Sequence, residues 1–373
     1  PVAQAVSFLH PVDRRPVFIF PWEGITLVGT TDVDHDQPLE GEPSIGPEEV
    51  AYLMAAVESQ FPSLHLTLDD VISTFAGVRP VIGTGKADPS QESRDHVVWD
   101  ENGLLTVTGG KLTTFRLIAL EALKAVRPRL PDLPPLAADT PVLNPVDLDL
   151  PGAEHLDEAA RRRLLGRYAA DAPALVAAAR ADELDPIPGT QILWAELRWA
   201  SRAEGVVHLD DLLMRRVRLG HLVRQGGEGL LPQIRAICQP ELGWDDARWA
   251  AEEAAYLDLW RAHYSLPDRA SIPDWMDMLA AAKAERQAIQ PIRRRIADHL
   301  KRFQLCLFLE TLACILVQRK PDARPRRNSK NHQQDLANTS ALLRPGCCQL
   351  YHWMFSSEVV IALERGATKM GED

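Results

Sequence analysis

Seven prolines fall between Pro128 and Pro151, and the hydrophobic pattern of the chain changes across them. Each proline ring fixes φ and removes an N–H donor, so such a segment propagates neither a helix nor the interior of a sheet. Residues 128–151 therefore read as a linker or an extended crossing segment. Ahead of it, β-rich runs alternate with turns; behind it, apolar residues recur at helical spacing. The expected class is α+β: an antiparallel sheet region over residues 1–127, an all-helical domain over 152–265, and a tail over 266–373.

Within the first region, Pro16–Trp22 and Ile25–Val28 read as two strands joined at Glu23-Gly24. Pro47-Glu48-Glu49 opens an amphipathic helix to about Phe61, with acidic residues where the helix dipole favours them. Val71–Ala76 reads as a further strand and Ile82–Glu92 as a loop. Val97–Trp99 is expected to pair, through a turn at Glu101-Asn102-Gly103, with the next strand.

That next strand belongs to the stretch LLTVTGGKLTTFR, residues 104–116. Leu104–Val107 reads as a short buried strand that stops at Gly109-Gly110, where the backbone can turn tightly and lie close to a ligand. Lys111 follows, then Thr113 and Thr114 as candidate N-caps, then helix formers from Phe115 to Val126. A strand, paired glycines and a helix N-terminus together offer N–H groups and a positive dipole to an anion, although an ordinary β–α turn has the same ingredients. Arg79, Arg94 and Lys111 all stand where strands end. Two guanidinium forks and an ammonium suit a small dianion such as a phosphate ester.

After the linker, helices are expected at Leu156–Arg167, Ala172–Ala181, Thr190–Arg202, Leu209–His221, Leu230–Ile237 and Asp245–His263, with Pro240 and Gly243 among their breakers. The tryptophans and histidines here read as core or surface residues. Arg161-Arg162-Arg163 and Arg215-Arg216 read as solvated helix faces. In the tail, Arg293–Leu316 can form helix, whereas Gln318–Ser340 is polar and expected to be disordered.

The chain has 373 residues, a net charge of −11 and a pI near 5.5, which argues against nucleic acid as a main partner. Its 5 cysteines have no CxxC pair, so reduced thiols are expected and a zinc site is not. Leu305–Val317 is too short to span a bilayer, and the opening residues do not read as a signal peptide.

Four segments occur in order: FPWEGITLVGTTD (20–32), DDVISTFAGVRP (69–80), SRDHVV (93–98) and LLTVTGGKLTTFR (104–116). Together they resemble the FAD-dependent, quinone-linked glycerol-3-phosphate dehydrogenase family. Residues 194–220 and 242–260 are similar to that family's C-terminal helical domain. The resemblance covers roughly residues 1–265; the tail matches nothing familiar and reads as an appended segment or the product of a frame change.

The resemblance implies a piece of a two-domain α/β flavoenzyme with a helical cap. It implies oxidation of sn-glycerol 3-phosphate to dihydroxyacetone phosphate, with hydride transfer to FAD and electrons passed to quinone or, in the oxidase branch, to oxygen. It gives Arg79, Arg94 and Lys111 as substrate-binding residues, with Arg79 and Lys111 also catalytic. Gly109, Gly110, Lys111, Leu112 and Thr113 become the cofactor-facing segment, and residues 1–127 the substrate-binding region. A cytoplasmic protein, peripheral on the inner face of the cell membrane and open to homodimer formation, is the corresponding setting.

The sequence departs from the family in having no GxGxxG dinucleotide fingerprint. The expectation is that this polypeptide alone binds FAD poorly and is inactive. Two other classes stay open: a flavoenzyme of the amine or amino-acid oxidase type, and a non-catalytic remnant whose helices bind a partner.

Overall fold

The computed structural model describes residues 2–82, 95–132, 134, 141–143, 145–146, 149–291, 295 and 353–363, with the backbone alone for 80–82 and for most of 353–363. Arg94, most of the loop expected at 82–92 and the two tail segments expected as helix and as disordered chain lie outside the described residues or almost wholly so.

A meander of β1 (Val6–Leu9), β2 (Pro16–Trp22) and β3 (Ile25–Gly29) opens the chain, and Trp22 pairs with Ile25 around the Glu23-Gly24 turn. Residues alternate sides along these strands. Val17, Ile19 and Val28 therefore face one core, while Phe20, Trp22, Ile25 and Leu27 face another. Because β3 is buried on both faces, its run of apolar residues is continuous rather than alternating.

Helix α1 (Pro47–Gln60) covers the first face with Val50, Leu53, Met54 and Val57. Pro47 sits at its first turn, and Glu49 accepts the Gly46 N–H at 2.8 Å, so the helix starts where its residue types place it. The other face is covered by helices from beyond the proline-rich segment. Leu197 and Ala200 of α5 (Trp194–Ala203), Ile234 of α6 (Leu231–Leu242) and Trp249, Tyr256 and Trp260 of α7 (Asp246–His263) form one core with Ile25, Leu27 and Ile72. A smaller core joins α3 (Glu158–Tyr168) and α4 (Ala172–Ala178) to Leu150 and Leu193. The tryptophans 194, 244, 249 and 260 are thus core residues.

Strand β5 (Val71–Ile82) is longer than the sequence pattern suggested and carries Gly77-Val78-Arg79 within it. It does not pair with β3. Between them lies β8 (Trp353–Leu363), contributed by the tail, which also pairs with the short β4 (Val33–Asp34). A two-stranded sheet of β6 (His96–Glu101) and β7 (Leu104–Gly109) turns at Asn102-Gly103, as expected, and leads into α2 (Phe115–Val126).

Three local expectations need correction. Leu104 and Val107, on opposite faces of β7, are exposed rather than buried. Pro240 lies inside α6; helix termination falls instead to Gly243 in the left-handed region, φ +64°. Arg163 is no solvated residue, since its guanidinium bonds Glu23 at 2.5 Å and Glu196 at 2.6 Å.

Candidate active site

Arg79 stands on β5, a strand held firmly from both sides. On one side it pairs with β8 along its length; on the other the Thr74 N–H donates to the Tyr264 carbonyl at 2.8 Å, and the Ser73 hydroxyl to the His221 carbonyl at 2.7 Å. The guanidinium is partly exposed, and Nη2 lies 3.5 Å from Oδ1 of the mostly buried Asp32. Asp32 sits in the link between β3 and β4, and its carbonyl accepts from Arg15 Nη1 at 2.6 Å. Asp32 closes the GTTD segment of the sequence, yet sequence reasoning assigned it no part in the site. The only local signal was an acidic residue shortly after a strand end; Arg79 itself lies within β5.

The second part of the site is the turn between β7 and α2. Gly109 and Gly110 have φ of +77° and +83°, a region that only glycine enters without strain. At Gly110 a Cβ would also lie 2.5 Å from Cδ1 of Ile118 and 3.1 Å from Cβ of His96, so the turn is packed from within. Lys111 follows on the surface; its N–H donates to the Thr114 hydroxyl at 3.3 Å, and that hydroxyl donates to the Lys111 carbonyl at 2.9 Å. A tight turn, Leu112–Thr114, then starts α2. The N–H groups of Leu112 and Thr113 stand at its N-terminus, where a helix supplies no acceptor of its own. Thr114 stands at the N-cap position of α2, but its hydroxyl is turned back to Lys111 and makes no capping bond to that helix, contrary to the capping expected of Thr113 or Thr114.

Further hydrogen bonding fixes this unit: His96 Nε2 lies 2.7 Å from Glu121 Oε2, tying β6 to α2. Strand β5 and strand β7 touch, which brings the strand of Arg79 against the strand that ends at Gly109. Leu112 is 87% exposed and Leu104 69%, with Phe115 and Leu117 also exposed. The surface around the glycine turn is therefore cationic at Lys111 and apolar beside it. Such a surface suits a planar aromatic ligand that carries or acquires negative charge. Arg94, the third predicted cation, lies outside the described residues.

Two buried charge networks lie behind the site in the helical region. Glu196 is fully buried and accepts from Arg163, from the Tyr168 hydroxyl at 2.7 Å and from the Leu193 N–H at 2.8 Å. Through Arg163 and Arg167 it is tied to Glu23 in the β2–β3 turn. Arg198, also buried, is shared by Glu183 and Glu241, and these pairings hold its guanidinium in the charged form. A cleft of about 450 Å³ lies along residues 33–46 and Glu49, and none of its lining residues is among the predicted site residues.

Residues 134–249 match the family model of the C-terminal domain of alpha-glycerophosphate oxidase. The aerobic glycerol-3-phosphate dehydrogenase of Staphylococcus aureus (strain USA300) is 32% identical over 236 residues, which are 58% of this chain and 42% of that protein. The protein of the same description from strain MRSA252 matches to the same extent, 32% over 236 residues. Among solved structures, the glycerol-3-phosphate dehydrogenase from Bacillus halodurans complexed with FAD aligns with a TM-score of 0.53 at 25% identity, over 69% of this chain and 54% of that one. The chain thus spans about two fifths of the length of the curated relatives it matches. These likenesses bear out the family resemblance of the sequence motifs, and the mixed helix and antiparallel sheet fold is similar to that of the Bacillus halodurans flavoenzyme.

Proposed function

We propose that this chain, a relative of the FAD-dependent glycerol-3-phosphate dehydrogenases, forms the substrate-side part of an enzyme that oxidises glycerol 3-phosphate to dihydroxyacetone phosphate. One observation carries the reading. The strand bearing Arg79 is packed against the strand that ends in the Gly109-Gly110 turn, and Lys111 is displayed beside that turn. A phosphate ester needs bidentate guanidinium donors, and Arg79 has five N–H groups in a planar fork. In this reading the guanidinium, 3.5 Å from Asp32, binds the phosphate dianion. In the same reading Arg94 supplies the second fork.

The residues of the glycine turn fit the ring of FAD: Gly109 and Gly110 bring bare backbone to the surface, and exposed Leu112 offers an apolar contact. When bound, FAD supplies the acceptor for the hydride that leaves C2 of the substrate. Lys111 and the N-terminus of α2 hold positive potential where negative charge accumulates, which favours the reduced form. Exposed Phe115, in the first turn of α2, adds a further apolar contact beside the glycine turn. Within this reading the electrons pass on to a quinone, and the protein is a homodimer resting peripherally on the inner face of the cell membrane. No helix among the described residues is long and apolar enough to cross a membrane.

The test is titration of the chain with glycerol 3-phosphate and, separately, with glycerol. Saturable binding of the phosphate ester that vanishes in Arg79→Ala is expected. Equal binding of both ligands, or binding that survives Arg79→Ala, overturns the proposal.

A further inference from the structure

Strands β3 and β5 are the long strands of the main sheet nearest the candidate site, and each pairs with β8 on the side that faces the other. Thr26–Gly29 of β3 and Val33–Asp34 of β4 form one wall of a slot; Val71–Ile82 of β5 forms the other. Both walls present backbone N–H and C=O groups inward. Left unfilled, the slot would leave the inward N–H and C=O groups of both walls without ladder partners, as at any open strand edge. A third strand satisfies both edges at once.

The strand that fills the slot comes from far away in the chain. It follows α7 by about ninety residues. Its register is well defined all the same. Val360 pairs with Gly29 on one side and Phe75 on the other, and Ser356 with Asp34 and Arg79. Ile72 is accommodated as a bulge. Ala362 is fully buried and joins the core of Ile25, Leu27 and Ile72, so the slot selects a small apolar residue at that position as well as an extended backbone.

We infer that the gap between β3–β4 and β5 is a strand-binding site, filled by the chain's own Trp353–Leu363 and able to exchange it for an extended apolar peptide of the same kind. The recognition is β-augmentation: main-chain hydrogen bonds on both sides supply the affinity, and the pocket for Ala362 supplies the register. A long connection makes exchange practicable, because lengthening a loop adds little to the cost of closing it. Occupancy also bears on the candidate site, since β8 spaces the strand of Arg79 from the link that carries Asp32.

Two measurements on the full chain test this. In the double variant Val78→Cys and Ser357→Cys the new thiols sit on directly opposed residues of β5 and β8. Mild oxidation should yield an internally cross-linked monomer on non-reducing electrophoresis, and the pair Val78→Cys with Ser356→Cys, one residue out of register, should cross-link far more slowly. Absence of the in-register cross-link, or its formation only between chains, overturns the inference. In the second measurement a labelled peptide of sequence Trp353–Leu363 is titrated by anisotropy against the wild-type chain and against Val360→Pro. A proline in the middle of a doubly paired strand removes a ladder bond and clashes with its neighbour, so the variant should release its own strand and bind the peptide at least about tenfold more tightly. Equal affinity for both proteins overturns the inference; should Val360→Pro not fold, the peptide is titrated against the Val78→Cys, Ser357→Cys variant oxidised and reduced, where the locked form should bind at least about tenfold more weakly and equal binding overturns the inference.

Discussion

Arg79 and Asp32 meet across an intervening strand: the guanidinium Nη2 lies 3.5 Å from the carboxylate Oδ1, although β8 runs between β5 and the link after β3. The carboxylate is the more buried partner, so the contact tethers the arginine from inside. At 3.5 Å the pair is an ion contact rather than a tight bidentate fork, and the proposed phosphate contact draws on the guanidinium's capacity for forked donation.

Arg79→Lys tests that capacity. Lysine keeps the charge but gives up the planar fork, so an oxyanion is bound as by a point charge. Affinity for glycerol 3-phosphate should fall about tenfold or more, as expected for the loss of a charge-assisted hydrogen bond of about 1.5–3 kcal/mol. Isothermal titration measures it directly. An unchanged dissociation constant would remove Arg79 from the site.

His221 makes stability depend on pH. Its ring is buried among Phe75, Tyr264 and Trp22, with centroid distances of 5.0, 5.3 and 6.3 Å. Burial, aided by nearby Arg218, pulls its pKa from 6.5 down to about 4, against a backbone hydrogen bond that works the other way. Between those values the unfolded chain takes up a proton that the folded chain refuses. Stability from this group is therefore complete above pH 6.5 and is lost as the pH falls towards 4, by about 3 kcal/mol. His221→Phe, which keeps a ring in the site, should flatten the fall of Tm over this window. A wild-type slope in the variant would assign the acid sensitivity to other groups.

Glu196 joins the sheet to the helical region. Its removal by Glu196→Ala would strand Arg163 and the Tyr168 hydroxyl in a buried setting, and loss of one member of a buried ion pair costs about 3–5 kcal/mol. Denaturant unfolding should show a clearly lower midpoint for Glu196→Ala. Arg162→Ala, whose Glu158 partner is exposed like itself, should change the midpoint little. Similar losses in the two variants would argue that the buried network carries no special weight.

The contrast between these two arginines shows what can be read from a chain. The hairpins at Glu23-Gly24 and Asn102-Gly103 were legible because turn chemistry and strand alternation act over a few residues. Helix α1 announced itself through Pro47 and Glu49 for the same reason. Arg163 looked like its neighbours in sequence and became a buried clamp only because Glu23, 140 residues away, folds beside it. Strand β8 was hidden still more deeply: its partners are hundreds of residues distant, and the stretch ahead of it reads as unstructured. Leu104 failed in the opposite sense, since an apolar run predicts burial only if something covers it. In the candidate site Lys111 follows the glycine turn as its sequence neighbours suggest, whereas Arg79 stands inside β5 rather than at a strand end, and Asp32 needed the sheet order to meet it.

Gly110→Ala probes the geometry of the glycine turn. The added Cβ would have to share space with Cδ1 of Ile118, at 2.5 Å, and the backbone would have to hold φ near +83° with a side chain attached. Either effect alone costs about 1–3 kcal/mol. The side chain of Ile118 can turn aside, whereas the backbone strain has no such release, so the turn is expected to relax by opening. Lys111 and the start of α2 would then shift. The double variant Gly110→Ala, Ile118→Val separates the two effects by giving the methyl group room while leaving φ as it is. If strain dominates, both variants should unfold at similar, lowered midpoints, and both should bind glycerol 3-phosphate and FAD more weakly than the wild type. Recovery of stability and binding in the double variant would show instead that steric packing against Ile118 was the controlling term.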